Sequence, residues 1–118
     1  MKKEFRIKKS QEIESIIRNK EITGGKNFVL YTQPNHENKH YRFALSVPKK
    51  YGDAVYRNLI KRRIRSIVQE QKIKNDIDLF LVIKASASKL EFNEIKYEII
   101  ELLNKAQVLE DKWKNTYY

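Results

Sequence analysis

The chain has 118 residues, no cysteine, 41% apolar and 34% charged residues, and a formal net charge of +10. That length suits one compact domain, 1–118, and leaves no room for two; the apolar share is too large for a disordered chain. Without cysteine there is no disulfide framework and no thiolate metal site, a composition suited to the reducing cytosol.

The basic start, MKKEFRIKKS, is not followed by an apolar h-region, so a signal peptide is not expected. No apolar run reaches the ~20 residues of a membrane span. SQEIESIIRN, 10–19, offers Ser10 as an N-cap and Ile13, Ile16 and Ile17 at helical spacing, which predicts a short helix. Gly24 and Gly25 then permit a tight turn. NFVLYTQ, 27–33, is β-branched and aromatic and predicts a strand. After a polar loop, YRFALSV, 41–47, alternates around Tyr41, Phe43, Leu45 and Val47 and predicts a second strand, joined to the first by a loop short enough for an antiparallel pair.

Pro48 disfavours a further ladder bond and Gly52 supplies a turn. Asp53 is a good N-cap, so a helix is expected from Ala54 to about Gln71. DLFLVIKA, 78–85, is almost unbroken in its apolar character, as in a central strand buried on both faces. EFNEIKYEIIELLNKAQVL, 91–109, carries Phe92, Ile95, Ile99, Leu102, Leu103 and Ala106 at helical spacing and predicts a long amphipathic helix, with Ser88 as a candidate cap. The tail EDKWKNTYY has no period; Trp113, Tyr117 and Tyr118 either stack on a partner or close the core edge. Helix, strands, helix, strand, helix describes an α+β or α/β sandwich, with helices covering a small sheet.

The charge is concentrated. Residues 1–38 carry net +3, residues 39–72 net +8 and residues 73–118 net −1. Nearly all the excess lies in the middle third, which suggests a polyanionic partner. At roughly 100° per residue, Tyr56, Ile60, Ile64 and Ile67 form one stripe, expected to face the sheet. Arg57, Lys61 and Arg65 line an adjacent stripe, with Asn58 and Arg62 just beyond. No carboxylate sits within this face. A solvated helix face normally mixes signs through i, i+4 pairs, and a membrane-surface helix needs a wide exposed apolar face. Phosphate binding fits best: Arg offers a planar fork, Lys a point charge, and Asn both donor and acceptor.

Other constellations are weaker. His36 and His40 lie in a polar loop with no third ligand, which makes a zinc site improbable. Asp76 and Asp78 could be imagined in a metal nuclease, but solvated carboxylates are the better default. There is no glycine-rich phosphate loop.

At KKYGDAVYRNLIKRRIR, 49–65, the sequence resembles the protein component of bacterial ribonuclease P. SVPKK is 46–50, Gly52 holds the turn, AVYRN is 54–58, IKR is 60–62, and Arg65 ends the cluster. RIKKSQEIESIIRN and NFVLYT also look like that family's opening helix and first long strand. Two departures stand out. Leu59 occupies the place of the second arginine in the family's Arg-Asn-Arg signature, and Ile13 and Ile17 stand where aromatic residues are common.

The resemblance implies a fold, a function and a site. The fold is α+β, a small α/β sandwich of order αβββαβα with a central sheet, a basic helix and a left-handed β-α-β crossover, ribosomal protein S5 domain 2-like. The default from sequence alone is right-handed. The function is that of a cytoplasmic protein subunit of a ribonucleoprotein endonuclease. It binds the catalytic RNA and the 5′ leader of precursor tRNA while the RNA, with bound Mg2+, cleaves the leader. By this resemblance Lys49, Lys50, Arg57, Asn58, Lys61, Arg62 and Arg65 contact catalytic RNA. Ile13, Ile17, Phe28 and Tyr31 line a leader cleft with Lys26 at its edge. Neither catalytic nor metal-ligating residues are expected in the protein, nor an obligate protein partner. Aromatics beside cations suit single-stranded RNA, although Phe28 serves equally well as core. Strand alternation puts Phe28 and Tyr31 on opposite faces, and Val29 with Tyr31. The alternative is a structural RNA-binding or ribosome-associated protein; a protein-only nuclease ranks third, because no carboxylate cluster supports one.

Overall fold

A computed structural model describes residues 1–110. The elements run α1 (Ser10–Arg18), β1 (Glu21–Gly24), β2 (Phe28–Pro34), β3 (Arg42–Ser46), α2 (Ala54–Gln69), β4 (Ile77–Ile83) and α3 (Phe92–Lys105). The order is αβββαβα, an α+β fold. The sheet order is β1-β2-β4-β3. β4 pairs antiparallel with β2 and parallel with β3, so its apolar run sits between two neighbours. Its residues Asp78 to Leu81 and Ile83 are buried. The expected β2–β3 pair does not form. The two strands do run antiparallel, but β4 lies between them, because a fully apolar strand gains most from the central position.

Two apolar layers flank the sheet. The main core sets Phe28, Leu30, Phe43, Leu79, Leu81 and Ile83 against Ile60, Ile64 and Ile67 of α2 and Ile95, Ile99, Leu102 and Leu103 of α3. The opposite face of the sheet sets Ala44 and Phe80 against Ile7 and Ile16, with Ile13, Tyr31 and Val82 half-buried around them. The sandwich is therefore α1, sheet, then α2 with α3.

Local expectations differ from the structure at four places. β1 was not expected: it is a four-residue edge strand whose only partly buried residue is Thr23, so it carries little periodicity. Ser88 is not the cap of α3. It lies in a 3-10 turn, Ala85–Lys89, and Glu91 and Glu94 form a reciprocal capping box instead. Asp53 occupies the N-cap of α2, but its side chain makes no capping bond; likewise Lys9, not Ser10, is the N-cap of α1. Trp113, Tyr117 and Tyr118 lie outside the described residues.

The β1–β2 turn is tied to α3. The Asn27 backbone N–H and Nδ2 donate to the two oxygens of Glu98 at 2.8 Å each, and Asn27 Oδ1 accepts from Ser86 Oγ at 2.8 Å. Asn27 is buried. A Cβ on neighbouring Gly25 would meet Phe28 O and Glu98 Oε2 at 3.1 Å, so the turn runs close under the helix. Glu98→Ala orphans two donors around a buried residue. It is expected to cost about 1–3 kcal/mol, read from the midpoint shift in urea denaturation.

Candidate nucleic-acid interface

The α2 wheel is largely realised. Ile60, Ile64, Ile67 and Val68 are buried. Arg57, Lys61 and Arg65 are half-buried beside them, while Asn58 and Arg62 are exposed. Tyr56 departs from the expected core stripe: it is 60% exposed, in a first helical turn where Ala54 and Val55 are exposed too, and it lies beside Gly52. Lys49 and Lys50 are exposed in a 3-10 turn, Lys49–Tyr51, just before the helix. Gly52, at φ +157°, joins the two in a conformation that side chains rarely adopt.

Among the described residues, ion pairs link Arg42 to Glu12 and Asp78, Lys96 to Glu70 and Lys105 to Glu101, and His36 Nδ1 lies 3.3 Å from Asp76 Oδ2. None involves a cation of residues 49–65. Burial lowers the pKa of Arg65, and repulsion from Arg6 adds to it. Arg6 is a member of this surface that sequence reasoning missed. It is placed by a bridge to Phe43 and the Ile7 N–H bond to Phe43 O at 2.9 Å. Its Nε is buried without a hydrogen-bond partner. Its sequence signal was only its place in the basic segment that leads into the opening helix. The face thus concentrates positive charge with no internal counter-charge, an arrangement that favours a polyanion.

A second surface lies on the α1 side of the sheet. Cross-strand pairing aligns Tyr31 with Phe80 and Val29 with Val82, all on one face by alternation. The Tyr31 and Phe80 rings are 6.0 Å apart. Ile13 and Ile17 of α1 border this face, Ile13 packed against it and Ile17 39% exposed. Ile22 pairs with Tyr31 across β1 and is 53% exposed. Phe80, Val82 and Ile22 escaped the sequence reading, because the register that places them beside Tyr31 is long-range. Phe28 is corrected: it is fully buried in the main core on the other face, as strand parity requires. Lys26 is exposed in the β1–β2 turn, where it lines a recess against α3.

α1 is fixed over the sheet by polar contacts. Gln33 Nε2 donates to Ser15 Oγ at 3.2 Å and Asn19 Nδ2 to Thr32 O at 3.3 Å. Arg42 spans from Glu12 on α1, at 2.7 Å, to Asp78 on β4, at 3.0 Å. Asp78 is therefore occupied structurally and Asp76 pairs with His36 at the surface. His40 stacks on Phe5 with ring centroids 4.0 Å apart, and its Nδ1 donates to Tyr41 O at 2.8 Å. The two histidines serve separate contacts.

Fold and surfaces together define a class: a small α+β protein with one cationic helix face and a separate aromatic sheet face. Comparison with known proteins narrows it. The family model described as Ribonuclease P matches residues 1–107. The ribonuclease P protein component of Listeria innocua is 36% identical over 118 residues, covering 98% of this chain and 99% of that one. That of Limosilactobacillus reuteri is 35% identical over 114 residues, covering 95% and 97%. The solved RNase P protein of Staphylococcus aureus superposes with a TM-score of 0.83 at 32% identity, covering 90% of this chain and 98% of its own. The Thermotoga maritima RNase P protein, at 22% identity and a TM-score of 0.76 over 85% and 96%, shares the fold.

The chain belongs to the bacterial ribonuclease P protein family, the protein subunit of the endoribonuclease that matures tRNA 5′ ends, whose partner is ribonuclease P RNA. The competing expectation of a ribosome-associated protein gives way to this assignment.

Proposed function

We propose that the protein, acting as a single domain, holds catalytic RNA on the α2 face and the 5′ leader of precursor tRNA against the α1 side of the sheet. The observation that carries this reading is the separation of two chemistries on two sides of one fold. Lys49, Lys50, Arg57, Asn58, Lys61, Arg62 and Arg65 supply donors and charge for structured RNA phosphates. Half-exposed Tyr31, backed by the buried Phe80 and bordered by Ile13 and Ile17, supplies the aromatic surface on which an unpaired base stacks. The phosphodiester chemistry is assigned to the RNA and its Mg2+, and the protein supplies binding and orientation. Asn58, whose oxygen can accept from a water of a hydrated ion, is the side chain of this face suited to touch such an ion indirectly. No described helix is long and apolar enough to cross a membrane, and the composition suits a cytoplasmic site of action.

The test is leader dependence. With the complex reconstituted on a bacterial ribonuclease P RNA, affinity for precursor tRNA is expected to rise as the leader lengthens from one to several nucleotides. Tyr31→Ala is expected to remove about 1–3 kcal/mol of that gain, the worth of one base–aromatic stack, and to leave mature tRNA binding unchanged. Affinity indifferent to leader length would contradict the cleft assignment.

A further inference from the structure

One open surface of α2 belongs to neither face described above. On the flank away from Arg57, Lys61 and Arg65, Leu59 and Arg63 turn toward the start of α3. With Tyr51, Gly52, Asp53, Tyr56, Ser88 and Leu90 they border a groove of about 500 Å3, a size typical of small-ligand sites. Large side chains are left open here: Tyr56, which lines the groove, is 60% exposed, and Phe92, beneath Arg63, is 42% exposed. Apolar surface concentrated in this way marks an interaction site more often than chance.

The groove is polar in a specific pattern. The Arg63 guanidinium lies 5.9 Å above the Phe92 ring. Burial pushes the Tyr51 phenol up, and the nearby Arg63 charge opposes that rise. Among the described residues Arg63 has no carboxylate partner. Asp53 is the one carboxylate lining the groove, and it makes no capping bond. Aromatic walls, an apolar floor at Leu59, one unpaired cation and one free acceptor suit a flat heterocycle that carries N–H donors on its edge and a phosphate beside it.

We propose that the α2–α3 groove holds an unpaired base of the RNA partner, stacked on Tyr56, with Arg63 on the adjoining phosphate. This rests on the RNA-binding reading of α2 and extends it around the helix. The groove is continuous with that face through Asn58 and Arg62, one position to the N-terminal side of Leu59 and Arg63. Charge selects the occupant: residues 39–72 carry net +8, so a second copy of the chain would set like charge on like, whereas RNA offsets it. Asp53 accepts from a base N–H and disfavours phosphate at its own end of the groove, which fixes the orientation.

The test compares binding of a bacterial ribonuclease P RNA by the wild type, Tyr56→Ala, Tyr56→Phe, Arg63→Ala, Arg63→Lys and Arg62→Ala. Dimethyl sulfate modification of the complexes reports base protection. Tyr56→Ala is expected to weaken binding about 5- to 150-fold, the span for loss of one base–aromatic stack. It should also restore reactivity at one or two bases that the wild type protects, while Tyr56→Phe retains both properties. Arg63→Ala should lower the slope of log affinity against log salt by about 0.7–0.9, and Arg63→Lys should keep it. Unchanged affinity and reactivity in Tyr56→Ala and Arg63→Ala, with Arg62→Ala weakened, would overturn the groove and leave the RNA face standing. Wild-type binding by Arg62→Ala as well would overturn both. A wild-type dimer in sedimentation that Tyr56→Ala dissolves would assign the groove to a second copy and overturn the proposal.

Discussion

Asp78→Ala is expected to lower the stability of the fold by about 3–5 kcal/mol, the cost of breaking a buried ion pair from one side. The Asp78 side chain is 5% exposed and that of Arg42 23%. Asp78 accepts from Arg42 Nε at 3.1 Å and Nη2 at 3.0 Å, from Asn38 Nδ2 at 2.8 Å and from Asn35 Nδ2 at 3.1 Å. Its removal leaves the guanidinium with Glu12 alone and takes two side-chain bonds, from Asn35 and Asn38, out of the polar loop between β2 and β3. Glu12 remains, so the loss belongs at the lower end of the range. Urea denaturation measures it, and a loss under about 1 kcal/mol would show that the network contributes little.

The same carboxylate sets an acid limit. Burial pushes the Asp78 carboxyl up, but hydrogen bonds from Arg42, Asn38 and Asn35, together with the Arg42 charge, outweigh burial and hold it below its ordinary value. A depressed native value means the stabilisation is fully present above the unfolded carboxyl pKa of about 3.9. It is lost as pH falls from there through the native value. Wild-type stability should therefore drop below about pH 4, and Asp78→Asn should flatten that limb. Because Arg42 also holds Glu12 of α1, these variants are expected to loosen the helix that borders Tyr31 and Phe80.

Arg57→Ala combined with Arg62→Ala is the second large effect, and it falls on binding. Each lost phosphate contact lowers the slope of log affinity against log salt by about 0.7–0.9, so the pair lowers it by about 1.4–1.8. At fixed moderate salt each is expected to cost about 1.5 kcal/mol or more, as for a hydrogen bond to a charged group. Arg57 is half-buried and Arg62 exposed, so thermal melting must accompany the titration to separate folding from binding. Unchanged slopes with an intact fold would move the RNA surface off this face of α2.

Much of this was legible in the sequence because its causes are local. The α2 stripe follows from 3.6-residue periodicity, and Ile60, Ile64 and Ile67 needed no partner to be recognised. β4 announced itself by an apolar run. What escaped was long-range. The insertion of β4 between β2 and β3 depends on where a segment 30 residues later finds its best burial, and with it went Phe80 and Val82 as neighbours of Tyr31. β1 is too short and exposed to leave a pattern. Parity alone separated Phe28 from Tyr31, and the structure resolved that pair in favour of core for Phe28. Tyr56 matched the wheel but not the sheet, since a wheel has no ends. Leu59, which stood out as a missing cation, turns out to floor the groove against α3, with Arg63 one turn on at its rim.

The most direct measurement of the central claim is precursor-tRNA cleavage by a bacterial ribonuclease P RNA at low magnesium, with and without the protein. The protein is expected to raise the rate well above that of RNA alone, and the Arg57→Ala, Arg62→Ala variant to give back most of the gain. A rate equal to that of RNA alone, with folded protein at saturating concentration, would contradict the account.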